Sequence, residues 1–226
     1  KKAKEQDILV IAHCEDKSLS AGGVVNLGIV STRLGLRGIS RASEYKRVER
    51  DLRLAEKVKA RLHIAHVSCK ESVELIAKAK KKGIKVTADI TPHHFSLSEE
   101  AVLGFDTNMK MNPPLRSPES RERIFQYLRE GKIDWIETDH APHSLEEKTK
   151  NPFMSGIPGI AWWPLFEEFL RRNEFTDRQI EQLTFSNIVK RFGVDIQRSQ
   201  RKTKDRRSDY PFDPYKKMAK ELGWPS

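Results

Sequence analysis

Residues 138–143 read TDHAPH, so one carboxylate and two imidazoles fall within six residues around a proline. The chain has only seven histidines in 226 residues, which makes the grouping informative. Imidazole and carboxylate are ordinary ligands of a catalytic Zn²⁺, and such a site keeps one position open for water. Water bound there ionises near neutral pH. His13 and His66 offer the same chemistry from elsewhere, each near the end of an apolar run, DILVIAH (7–13) and LHIAHVS (62–68). Coming from three separate strands, His13, His66 and Asp139 can converge on one ion. Asp139 also suits proton transfer, because a carboxylate beside metal-bound water takes its proton and passes it to a leaving nitrogen. His143, just past Pro142, is placed to point from the loop into a pocket, where a donor or cation suits an anionic substrate.

These residues need elements to carry them. Short, nearly continuous apolar runs predict buried strands at 7–13, 62–68, 84–92 and 132–139, with a shorter one around NMKMNPPL (108–115). Apolar residues at helical spacing predict helices over about 43–60 and 70–83, the second with Ser68 as cap and Gly83 as stop. Further helices are predicted over 117–132, with Pro118 near the start, near 160–172, and near 177–192, capped by Thr176 or Asp177. Alternating strands and helices mean a parallel α/β fold. Every histidine except His63 then lies at the C-terminal end of a strand, and in a (β/α) barrel those ends share the face where catalysis is built.

Composition bounds the rest. With 37% hydrophobic and 33% charged residues the chain is soluble and globular. No apolar run approaches a membrane span and no secretory signal opens the sequence. Two cysteines, Cys14 and Cys69, make no disulfide framework, so a cytoplasmic location is expected. The net charge of +10 raises the question of nucleic acid, and six of ten residues in RSQRKTKDRR (198–207) are basic. No helix-turn-helix, zinc-finger or RNP signature accompanies that charge, so it reads as solvated basic surface.

Five segments in order, AHCED (12–16), HIAHVS (63–68), TPHHF (91–95), MNPPLR (111–116) and TDHAPH (138–143), resemble the class I dihydroorotases of the amidohydrolase superfamily. The resemblance runs from about Ile8 to Gly193. It implies a metal-dependent hydrolase barrel, (β/α)8 of the TIM type, of which strands five to eight are present. Residues 1–193 would be the C-terminal half of that barrel, and 194–226 a basic tail with a remnant of a small β domain, SDYPFDP (208–214) being its worn strand. The implied activity is interconversion of dihydroorotate and N-carbamoyl-L-aspartate in pyrimidine biosynthesis. Hydantoinase or allantoinase activity is the related alternative.

Carried over residue by residue, the resemblance makes His13 and His66 zinc ligands and Asp139 a zinc ligand and proton shuttle. Asn112 contacts the substrate ring, His143 helps hold the substrate carboxylate, and the backbone of Pro158 and Gly159 contacts the ring amide. His94 is frequent in the family, with a structural or supporting place. The family's first-strand His-x-His, the arginine that follows it and the fourth-strand bridging acid have no counterpart here. The expected partners are therefore the small-molecule substrate and either a second copy or a complementing subunit. The family's usual partner, aspartate transcarbamoylase, is the candidate for an inactive, assembly-only version of the chain.

Overall fold

The computed structural model describes residues 1–197 and 205–224. Six strands are present among them: β1 (Leu9–Ala12), β2 (Val25–Asn26), β3 (Gly38–Ile39), β4 (Arg61–Ile64), β5 (Val86–Ile90) and β6 (Trp135–Ile136). Four form one sheet in the order β1-β4-β5-β6, with every neighbouring pair parallel. The strands β2 and β3 pair separately as a short parallel ribbon that sequence periodicity did not reveal.

The register divides the large sheet into two unlike faces. Val10, Leu62 and Val86 share one face with Ala12, Ile64 and Ala88, while Ile11, His63 and Thr87 share the other. The first face packs on helices. Arg41–Val58 contributes Val48, Leu52 and Ala55, spaced four and three apart on one stripe; Lys70–Lys81 contributes Val73, Ile76 and Ala79; and Pro118–Arg129 contributes Ile124, Phe125 and Leu128. Each fully buried aliphatic side chain there is worth about 1.5–3 kcal/mol. The second face is polar. His63 bonds Thr87 Oγ1 at 3.0 Å and stacks on Trp135 with ring centroids 4.2 Å apart.

The helix signals act largely as their chemistry dictates. Ser40 caps Arg41–Val58 by accepting from Ser43 N–H, and Ser117 caps Pro118–Arg129 by accepting from Ser120 N–H. Thr176 forms a capping box with Gln179, opening Asp177–Glu181; the helix runs on through a wider π turn, Gln182–Ser186, into Asn187–Phe192. The helix near 160–172 opens as a 3₁₀ turn, Ile160–Trp162, before Trp163–Arg172.

Three expectations need correction. Ser68 does not cap Lys70–Lys81; Cys69 occupies that position without a side-chain bond, because Ser68 Oγ is engaged with Glu44 and Arg116. Residues 108–115 form no strand. Thr107–Met109 is a 3₁₀ turn, and Pro113 and Pro114 lack the N–H groups a ladder needs. Met111 and Leu115 instead pack on Ile157, Trp162 and Phe166. Residues 208–214 are not a strand either. Arg207–Asp209 is a 3₁₀ turn, and a helix follows at Lys216–Glu221, whose Met218 and Ala219, with Tyr215 and Leu222, join that second cluster. Most of the basic run, residues 198–204, lies outside the described residues. No helix among the described residues is long and apolar enough to cross a membrane.

A buried polar network ties the loops at the C-terminal ends of the strands. Glu44 accepts from Ser68 N–H at 3.0 Å, from Ser68 Oγ and from Ser72 Oγ at 2.7 Å. Arg116 Nη2 stands 3.6 Å from Glu44, while its Nε donates to Ser68 Oγ and its Nη1 to Asn26 Oδ1 and the Ile39 carbonyl, each at 3.0 Å. Burial works to raise the Glu44 pKa, but Arg116 and the bonds from Ser68 and Ser72 outweigh it and hold it below the usual glutamate range. Replacing Arg116 by Met leaves that carboxylate buried and unpaired, so Arg116→Met should cost about 3–5 kcal/mol in urea unfolding. Because the folded pKa is depressed, the wild type should lose the Glu44 contribution as pH falls below the ordinary glutamate range, and Arg116→Met should flatten that acid limb.

Candidate active site

The strand ends bring the predicted residues to one edge of the sheet. His13 follows β1 directly, and His66 stands two residues past β4. Their rings meet edge to face, and His13 Nδ1 lies 3.0 Å from His66 Nε2. Burial, and then the neighbouring His66, lower the His13 pKa, so His13 is held neutral. Its other nitrogen, Nε2, is 3.4 Å from Glu15 Oε2. That same oxygen accepts from Lys17 Nζ at 2.6 Å and from Asn112 Nδ2 at 3.1 Å. Burial works to raise the Glu15 pKa, yet bonds from Lys17, Ser20, Asn112 and His13 bring it down to about 2. Glu15 thus joins His13 to Asn112, a link that adjacency in AHCED concealed.

On the far side of the pair, His66 holds a left-handed backbone, φ +40°, and donates its N–H to Asp89 Oδ1. Asp89 Oδ2 bonds His63 Nε2 at 2.7 Å, so one buried carboxylate fixes both histidines of HIAHVS. Asp139 likewise holds φ +43°, donating its N–H to Glu137 Oε2 at 2.6 Å. A non-glycine residue pays roughly 1 kcal/mol for that conformation, and such strain collects at functional sites. Glu137 is pushed up to about 8 by burial and by the charges of Asp89 and Asp139, so it holds a proton at neutral pH. Asp89 and Glu137 were both missed in the sequence. Each sits inside a strand run read as apolar, ADI and WIE, and the acid breaking the apolar pattern was the available signal.

The TDHAPH loop and the Pro158–Gly159 loop are knitted together. His140 Nδ1 accepts from Gly159 N–H at 3.0 Å and from Ile160 N–H at 3.2 Å, and its Nε2 is 3.3 Å from the Tyr210 hydroxyl. Accepting at Nδ1 requires the proton to sit on Nε2. His143 Nε2 donates to the Ser155 carbonyl at 3.1 Å, which leaves its Nδ1 facing Glu147 at 3.6 Å. Pro158 and Gly159 are buried, and a Cβ on Gly159 would stand 3.1 Å from Thr138. His94 bridges Thr91 Oγ1 at 2.7 Å and the Pro113 carbonyl at 3.0 Å, a structural place. Among the described residues neither buried nitrogen of His93 has a hydrogen-bond partner, and neither does His66 Nδ1.

The pair His13–His66 has the spacing of two metal ligands, since nitrogens about 2.0–2.1 Å from a tetrahedral Zn²⁺ stand roughly 3.3 Å apart. The carboxylate behind His13 also matches the usual support of a metal-binding imidazole. Asp139 does not close on the pair, and among the described residues no three His, Cys, Asp or Glu side chains converge as a metal set. The described side chains fit two positions of an ion's shell and not a complete site.

A protein-family model described as dihydro-orotase-like matches residues 1–72. The dihydroorotase of Elusimicrobium minutum is 57% identical over 148 residues, covering 66% of this chain and 34% of that protein. The dihydroorotase of Caldicellulosiruptor saccharolyticus is 49% identical over 196 residues, covering 85% of this chain and 46% of that protein. The chain belongs to the dihydroorotase family. It spans less than half the length of these curated relatives. In fold it is similar to a D-hydantoinase from Thermus sp., with TM-score 0.70 and 23% identity over 84% of this chain and 44% of that one. The α/β architecture expected from sequence therefore matches 44% of that hydantoinase chain.

Asp89 is the structural hinge of this dihydroorotase-family site. Asp89→Ala removes the acceptor from both His63 Nε2 and the His66 N–H. Two buried donors left unpaired should destabilise the fold by about 2–4 kcal/mol. Urea midpoints at pH 7 test this, and an unchanged midpoint would show the two histidines held by other means.

Proposed function

We propose that the chain supplies strands five to eight of a dihydroorotase barrel and works in interconverting dihydroorotate and N-carbamoyl-L-aspartate, a step of cytoplasmic pyrimidine synthesis. The opposition of His13 Nδ1 and His66 Nε2 at 3.0 Å supports the reading most directly. In it, His13 and His66 would supply two ligands to Zn²⁺, and Asp139, which does not close on that pair here, would join them only as the rest of the shell is completed. A bound Zn²⁺ supplies Lewis acidity and a water that ionises near neutral pH.

The chain's own groups do the rest. Asp139 takes the proton of the attacking water and delivers it to the ring nitrogen that leaves. Asn112, oriented through Glu15, donates to the ring, and the backbone at Pro158 and Gly159 meets the ring amide. His143 meets the substrate carboxylate through Nδ1 as the imidazolium, with both nitrogens protonated, because its Nε2–H already donates to Ser155. A hydantoin lacks that carboxylate, so His143 is the group that separates dihydroorotate from the hydantoinase and allantoinase alternatives.

The partner reading rests on the edge strand. On and beside β1, Ile8, Val10 and Ile11 are 52%, 40% and 56% exposed. A parallel strand with a free edge and exposed aliphatic side chains calls for another polypeptide to pair with it, a second copy or a complementing subunit.

Two measurements test these readings. Elemental analysis of purified protein should give near one zinc per chain, lost on chelation together with dihydroorotate hydrolysis. A folded chain free of zinc would make this an assembly subunit, with aspartate transcarbamoylase the first candidate to test. His143→Ala should raise KM for dihydroorotate by about ten- to hundredfold, the worth of a charge-assisted contact, and leave hydantoin turnover as it was. Equal loss on both substrates would remove the carboxylate role.

A further inference from the structure

Lys148 is a buried charge that the proposed chemistry does not use. It lies in the short helix Leu145–Thr149, opened by a capping box between Ser144 and Glu147, and its side chain is 0% exposed. Its Nζ donates to the carbonyls of Lys110 at 3.0 Å, Met154 at 3.0 Å and Gly156 at 2.9 Å. Three donors meet three acceptors, so the ammonium is saturated by backbone alone. Among the described residues no carboxylate lies within ion-pair distance of it. Burial and the nearby Lys110 push its pKa down to about 8. Burying an ammonium with no carboxylate in ion-pair contact costs several kcal/mol, of which the more distant charge of Asp106 offsets only a part, and a methionine of similar length would fill the space more cheaply. A group kept there at that cost must do what only three donors can.

The three carbonyls come from the two segments that flank the substrate-binding residues. Lys110 is two residues before Asn112, and its carbonyl also accepts from Gly156 N–H at 3.0 Å. Lys110 Nζ in turn donates to the Phe153 carbonyl, so the two segments are tied in both directions. Met154 and Gly156 bracket Ser155, whose carbonyl receives His143 Nε2 at 3.1 Å. On the other flank, Ala141 N–H donates to the Ile157 carbonyl at 3.1 Å. Gly156 has φ +134°, and a Cβ there would meet Ala141 at 2.6 Å and His143 Nε2 at 3.2 Å. The strand of chain 154–157 is thus seated between Lys110 and the 141–143 segment, with Lys148 beneath it.

We propose that Lys148 is a positioning residue whose ammonium clamps the Lys110, Met154 and Gly156 carbonyls and so sets the place of Ser155, His143 and the Pro158–Gly159 loop against Asn112. The inference rests on the substrate-binding roles proposed above for those residues. Its physical core does not, because the clamp makes a claim about the backbone alone.

The test follows amide hydrogen exchange and ligand affinity in the full chain for wild type, Lys148→Met and Lys148→Gln, the last keeping two donors without the charge. In Lys148→Met, exchange at Gly156 and Ala141 should speed up at least about tenfold, while Leu62 and Val67 in the sheet stay within about twofold. Affinity for N-carbamoyl-L-aspartate should fall by about tenfold or more, with Lys148→Gln between the two. Unchanged protection of Gly156 and Ala141 in either folded variant would overturn the clamp. Equal acceleration at Leu62 and Val67 would reduce Lys148 to a general structural residue and overturn the positioning role. If Lys148→Met does not fold, Lys148→Gln decides by the same readings. If wild type binds neither N-carbamoyl-L-aspartate nor dihydroorotate, the substrate reading fails, while the exchange data still decide the clamp.

Discussion

The buried contact between Arg116 and Glu44 is the constraint on which the site depends. Four pieces of chain meet there: the first turn of helix Arg41–Val58, the Ser68–Ser72 junction after β4, the β2–β3 ribbon through Asn26 and Ile39, and Arg116 itself. Arg116 is also the end of the segment that carries Asn112. A buried pair of this kind contributes little net stability against an apolar replacement, since desolvation offsets most of the attraction. Its value lies in geometry. A planar guanidinium with donors in fixed directions fixes the relative place of Ser68, Asn26 and Ile39 far more tightly than apolar contact would. His66, two residues before Ser68, and Asn112, four before Arg116, take their positions from this knot.

Two carboxylate relays extend from it, one on each side of the histidine pair. Glu15 joins His13 to Asn112 and Lys17, and is kept ionised by the donors around it. Asp89 joins His66 to His63, and burial, then the charges of Asp89 and Asp139, keep Glu137 protonated. The two sides are electrostatically opposite: Glu15 is surrounded by donors and strongly acidic, whereas Glu137, buried beside Asp89 and Asp139, is weakly so. A positive ion placed between them would favour the ionised form of every carboxylate. The acids crowd on the Asp139 side, whereas the imidazole nitrogens that face each other at 3.0 Å are those of His13 and His66, and among the described residues the two groups do not close into one metal set.

Much of this was legible in the sequence because strand runs and histidines obey simple periodicities. DILVIAH, LHIAHVS and KVTADI read as strands since few polar residues interrupt their short apolar runs. The placement of His13, His66, His94 and Asp139 past strand ends followed from that. The failures have a common cause, which is that the partner in each case lay far along the chain. Met111 and Leu115 are apolar because they pack on Trp162 and Phe166, and nothing local distinguishes that from a strand. Tyr215, Met218 and Leu222 sit at helical spacing, yet the charges and prolines around them masked the stripe. Ser68 has every local credential of a helix cap and is withdrawn from that role by Glu44, 24 positions away. Lys148 carries no local mark in LEEKT, because the three carbonyls that bury it include one that is 38 residues distant.

The two faces of the sheet bear on how the site is completed. Helices cover the apolar face from Leu62 to Ile136, but β1 carries Val10 and Ile11 in the open on either face, with Leu54 of the adjacent helix exposed beside them. Fully covering Ile8, Val10 and Ile11 would contribute about 1.5–3 kcal/mol each. Pairing the free N–H and C=O groups of Leu9–Ala12 adds a net fraction of a kcal/mol to about 1.5 kcal/mol per bond. Those terms are of the size needed to offset the rigid-body cost of association, about 4–15 kcal/mol, only if a broader surface joins in. His13 is the residue that follows directly on β1, so whatever pairs with that strand lies alongside the histidine pair. On the function proposed above, a chain that covered this edge would also stand beside the two imidazoles, so closing the sheet and completing a metal shell would be one event rather than two.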